Sequence, residues 1–150
     1  MNNFFDPSTA AHIFERIEQL QSDTAAQWGK MNVAQMLTHC QQPLKLALGE
    51  VRGKRTLISL LFGGYARKSF VERDAPFKKN LPTDKNFIVA DARVFQEERE
   101  KLVAYLQRFL AAGPDGMNPE PHPFFGKMTG KNWGVLTWKH LDHHLRQFGV

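Results

Sequence analysis

No stretch of this 150-residue chain reads as a strand, whereas apolar side chains recur at helical spacing in four places. That pattern leaves packed helices as the natural architecture. Asp6 and Pro7 suit a cap and a first helical position, and Phe14, Ile17 and Leu20 carry a stripe to about Gln21. Asn32 is the next cap, and Val33, Met36, Leu37, Cys40, Leu44 and Leu48 mark a second helix that ends near Gly49, with Pro43 able to kink it. Asp91 is the expected cap of a long helix in which Val94, Phe95, Leu102, Leu106 and Leu110 recur until Gly113. A last helix runs from Trp133 or Thr137 to Phe148. Between these, Thr56 to Val71 is apolar and helical in pattern, with Gly63-Gly64 expected to kink or split it.

The expected fold is therefore an all-α four-helix bundle with one additional short helical segment, in a single domain over residues 1–150. Two long connections, Ala75 to Ala90 and Pro114 to Gly130, can travel the length of a bundle, so neighbouring helices need not all be antiparallel. A 42% hydrophobic content is ample for the core. The longest apolar stretch, Leu57 to Ala66, is interrupted by Ser59, Gly63 and Gly64 and has about half the length a bilayer span requires. No membrane partner is expected.

The formal charge of +5 gently favours anionic ligands. The basic residues are dispersed, however, with small clusters only at Arg52, Lys54 and Arg55 and at Lys78 and Lys79, and neither alternates with aromatics as a stacking platform would. Nucleic-acid binding is not expected. Cys40 is the only cysteine, which rules out an internal disulfide and a thiolate-rich zinc site. Together with a start that shows no basic and apolar leader pattern, this points to the cytoplasm.

Chemistry concentrates near the end of the chain, in Lys139-His140-Leu141-Asp142-His143-His144-Leu145-Arg146-Gln147. On a helix His140 lies about 40° from His144 and about 60° from His143 around the axis, so either pair can share a face. His39, in the second helix, offers a third imidazole. Three neutral imidazoles suit Zn, Ni, Fe or Cu and leave a coordination position open, an arrangement of catalytic rather than structural sites. The competing reading is plainer: histidines near a helix C-terminus are favoured by the macrodipole, and a lone His39 suits an interior polar role. His12 and His122 have no helical partner at suitable spacing. Cys40, about 100° from His39, reads as a small core residue. Gln147 is either a hydrogen-bonding partner of a ligand ring or an exposed amide, and Phe124-Phe125 and Trp133 with Trp138 suit core packing better than a pocket mouth.

Trp28-Gly29-Lys30-Met31-Asn32-Val33-Ala34-Gln35-Met36-Leu37-Thr38-His39 resembles the tryptophan-led entry to the second helix of DinB-like (YfiT-like) proteins. His140 followed by His143-His144 and Arg146-Gln147 resembles the closing motif of that superfamily. Two further stretches, His122 to Met128 and Trp133 to Trp138, look like an uncharacterised branch of it. The resemblance spans Trp28 to the end, with Leu145 standing where many members have arginine. It implies His39, His140 and His144 as metal ligands, with His143 outside the ligand set. It further implies an up-down-down-up bundle, a divalent cofactor such as Zn, Ni or Fe, and frequent homodimers. Characterised relatives act on small molecules as transferases or isomerases that use low-molecular-weight thiols. The function expected on this basis is activation of a thiol or water by a metal-dependent transferase or hydrolase. The alternative is a non-catalytic helical binding module with a structural metal or none.

Overall fold

A computed structural model describes residues 1–81 and 87–150, and among them the chain is all-helical with no strand. The helices are α1 (Pro7–Glu18), α2 (Val33–Ala47), α3 (Leu57–Arg67), α4 (Phe95–Ala112) and α5 (Gly130–Gln147). Part of the long connection expected over Ala75 to Ala90, residues 82–86, lies outside the described residues; its described parts contain no α-helix. Capping boxes open α2 (Asn32 with Gln35), α3 (Thr56 with Ser59) and α5 (Thr129 with Asn132).

Hydrogen bonds between helices give their directions. Phe4 N–H donates to the Gly134 carbonyl at one end and Arg16 reaches Asp142 toward the other, so α1 and α5 run parallel. Gln35 meets Asp91, Gln41 meets Glu98 and Glu50 meets Tyr105, so α2 and α4 also run parallel. His39 meets His140 while Trp28, before α2, meets Gln147 at the end of α5, so these two helices oppose each other. The order is up-down-down-up. The parallel α2 and α4 need the long crossover that carries α3.

The core between α1, α2, α4 and α5 holds Ile13, Ile17, Met36, Leu37, Leu102, Leu106, Trp133 and Leu145, all essentially inaccessible to water. Phe4 and Phe5 pack on Phe109, with ring centroids 5.9 and 4.8 Å away, and seal the end where α1 begins and α4 finishes. A buried polar link joins α2 to α4: Gln41 Nε2 donates to Glu98 Oε2 at 2.8 Å, and Lys101 donates to Glu98 Oε1 at 2.8 Å. Desolvation pushes the Glu98 carboxyl up, but the hydrogen bonds from Lys101, Gln41 and Thr38 together outweigh it and hold the group below its ordinary value.

Four local expectations need correction. The first helix stops at Glu18 rather than Gln21, because the Thr24 hydroxyl accepts the Gln21 amide at 2.8 Å and turns the chain away. Asp91 does not cap α4: its carboxylate is engaged by Arg93 and its carbonyl by Gln35, and the helix starts at Phe95 with Glu97 and Glu98 in its first turn. The last helix begins at Gly130, one turn before Trp133, where Thr129 and Asn132 cap each other. Gly63-Gly64 does not split α3. The irregularity falls later, in a π-helical turn over Lys68–Glu72, where the buried Lys139 ammonium takes the carbonyls of Phe70 and Arg73.

Candidate metal centre

His39, His140 and His144 come together at one place between α2 and α5, each offering one ligand atom within 4.8 Å of the others. Ring centroids lie 4.9 Å apart for His39 and His140, 4.8 Å for His39 and His144, and 4.6 Å for His140 and His144. His39 and His144 are buried, and His140 is intermediate in exposure. Of the two pairings open in the sequence, the structure brings His144 to His140 and sends His143 outward.

Hydrogen bonds fix which nitrogens are free. His39 Nδ1 lies 3.0 Å from the Phe87 carbonyl, which can only accept, so the ring proton sits on Nδ1 and Nε2 carries the lone pair. His144 Nδ1 lies 2.8 Å from Gln147 Oε1. The Gln147 amide is oriented in turn by its Nε2, which donates to the Trp28 carbonyl at 2.6 Å. Its oxygen therefore faces His144, which again puts the ring proton on Nδ1 and leaves Nε2 free. Gly29 makes this arrangement possible. Its φ is +84°, and a Cβ there would sit 2.5 Å from Gln147 Nε2.

His39 Nε2 and His140 Nε2 face each other at 3.0 Å. A tetrahedral ion bound through imidazoles places ligand nitrogens about 3.3 Å apart, given bonds of about 2.0–2.1 Å. The rings thus stand close to the spacing a divalent cation requires, and His39 and His144 hold the tautomer it requires. Burial lowers the pKa of His39, pushes His144 down to about 3, and with the adjacent imidazoles of His144, His39 and His143 holds His140 well below its ordinary value. All three are neutral at pH 7, the ligating form. Among the described residues no fourth His, Cys, Asp or Glu joins the group.

The remaining candidates take other roles. His143 packs between Trp28 (5.8 Å) and Phe77 (6.1 Å) and lines a cleft of about 350 Å³ that Lys78, Lys79 and Arg146 border. Burial lowers its pKa as well. His122 is spent on a turn: its Nδ1 accepts the amides of Phe124 (3.0 Å) and Phe125 (3.2 Å), and burial depresses its pKa to about 4. Cys40 is buried with its Sγ 3.6 Å from Met36 Sδ, and burial pushes its thiol far above the ordinary range, as befits a small core residue. Trp133 and Phe125 are core residues while Phe124 is half exposed. The Phe87 carbonyl and the Trp28 carbonyl escaped the sequence reading, since a backbone oxygen leaves no mark in side-chain spacing.

Fold and site together define an all-α bundle with a three-histidine cluster able to hold a metal ion. The chain belongs to the family described as "Protein of unknown function (DUF1569)", which it matches over residues 5–149. No curated protein gives a significant match, and neither does any solved structure.

Proposed function

We propose that this protein is a DinB-like metalloprotein in which His39, His140 and His144 hold a divalent ion, and that it activates a low-molecular-weight thiol or a water for transfer or hydrolysis. The observation that carries this reading is the convergence of three imidazole nitrogens within 4.8 Å, two with their lone pairs fixed by Phe87 and Gln147. A bound ion supplies Lewis acidity, drawing the pKa of a coordinated thiol or water toward neutrality. The chain's own part is to keep three rings neutral and oriented. The absence of a fourth ligand from the group, among the described residues, supports an open position rather than a closed structural site.

The test uses protein purified without a histidine tag. Metal content measured by elemental mass spectrometry is expected near one divalent ion per chain in the wild type and near zero in His140→Ala and His144→Ala. Unchanged stoichiometry in both variants rejects the site. Conjugation of a low-molecular-weight thiol to a chromogenic electrophile, followed with metal-loaded protein, then tests the chemistry separately. Metal binding with no rate enhancement for either thiol transfer or ester hydrolysis would retire the catalytic half of the proposal.

A further inference from the structure

Helix α3 is packed inside out. Ser59, Gly63 and Ala66, all small, make up its buried face, while Leu57, Leu61 and Tyr65 are 79%, 78% and 74% exposed. Ile58, Leu60 and Phe62 are also more than half exposed. The inward face uses its small size: a Cβ on Gly63 would sit 3.0 Å from the Phe124 carbonyl oxygen, so α3 lies directly on the backbone of the His122 turn. Its large side chains therefore gain little from the bundle. Monomeric proteins rarely leave an apolar patch of more than a few hundred Å² open to water.

Two features bear on what could cover it. The first is extent. The six α3 side chains, all more than half exposed, together offer several hundred Å², comparable in scale with the roughly 800 Å² per partner of a standard interface. The second is shape. Positions 57, 61 and 65 form one stripe along the helix, and Gly64 sits beside Leu60 and Leu61 on the same side, where an added Cβ would touch nothing. Gly64 is thus a notch among protruding side chains. Gly63 is explained by the turn beneath it; Gly64 weakens the helix, and no neighbour within the chain accounts for it.

A surface with knobs and a matching hole on one stripe is complementary to itself. We propose that the outward face of α3 is an isologous interface between two copies of this chain, the helices crossing so that Leu60 and Leu61 of each seat over Gly64 of the other. The face carries no charged side chain from Leu57 to Ala66, and its cations lie at the margins, Arg52 and Lys54 before it and Lys68 after it. Arg67 is tied to Glu72 at 2.9 Å. This is the division into apolar centre and polar rim expected of a protein contact.

Sedimentation equilibrium over 0.5–50 μM decides the question, with metal content and circular dichroism measured on the same samples. The wild type is expected as a dimer, and Leu61→Glu as a monomer with unchanged helicity and unchanged metal content. Gly64→Leu fills the notch and should weaken association at least tenfold; equal or tighter association would overturn the crossing geometry. Should Leu61→Glu fail to fold, Leu61→Cys gives an independent readout, because the native Cys40 is buried. Diamide oxidation should convert it to a disulfide-linked dimer, whereas Arg108→Cys, on α4, should stay monomeric on denaturing gels. A wild type that stays monomeric at 50 μM overturns the inference. Co-sedimentation of that monomer with vesicles containing 30% phosphatidylglycerol would assign the face to a lipid surface instead.

Discussion

Helices α3 and α5 teach opposite lessons about apolar pattern. In α5 the large residues Trp133, Leu141 and Leu145 point inward and share the interior with His144 and Gln147, whose polar atoms are paired with each other and with Trp28. In α3 the large residues point outward and the small ones inward. Periodicity locates both helices, but it identifies the buried face only where the rest of the fold has room for big side chains. The close approach of the His122 turn removes that room beneath α3.

The contrast can be broken or sharpened by substitution. The largest stability effect is expected at Leu145→Ala, which empties a fully packed site and should lower unfolding free energy by about 2–5 kcal/mol in urea titrations. Leu57→Ala, measured in dilute protein, should change it by no more than about 0.5 kcal/mol. Comparable losses at both positions would mean that α3 buries its large face after all.

Acid should act through the buried rings. The His122 pKa is depressed to about 4, so the unfolded chain takes up a proton that the folded one excludes. The stability this supplies is complete above pH 6.5 and declines as pH falls toward 4, by up to about 3 kcal/mol for a shift of this size. His122→Asn, which keeps an acceptor for the turn amides without titrating, should flatten that part of the pH profile. An unchanged slope between pH 6.5 and 4 would remove His122 from the account.

Around the metal centre a smaller effect is expected from Gln147→Ala. Losing the partner that orients His144 should weaken zinc affinity about 10–100-fold in competition titrations, with the fold retained. The smallest effects belong to the two adjacent glycines, and they should have opposite signs. Gly63→Ala drives a Cβ against the Phe124 carbonyl and should destabilise by about 1 kcal/mol. Gly64→Ala meets nothing and should stabilise dilute protein by about 0.5–1 kcal/mol. Equal signs would contradict the facing assigned to α3.

Much of this fold is legible in the sequence. The Asn32 cap, the apolar stripe ending at Gly113 (φ 66°) and the long connections permitting parallel neighbours all match the fold. The meeting of His39 with His140 and His144 was expected as well. Less is legible where a competing partner decides a residue's role. Asp91 has a cap's chemistry but is claimed by Arg93 and Gln35, and Gln147 could be resolved only once Trp28 was seen to orient its amide. The Thr129 and Asn132 box is hard to see in the sequence, because Gly130 between them has the look of a loop.

The His39 and His140 rings that touch at 3.0 Å are 101 positions apart along the chain. An ion bridging them would therefore act as a removable cross-link. By the loop-closure relation that governs disulfides, tying together segments so distant deprives the denatured ensemble of freedom worth about 4–5 kcal/mol. A polypeptide with a single thiol would thus gain a staple that reductants leave intact and chelators undo. Its resistance to unfolding would follow the free metal concentration around it.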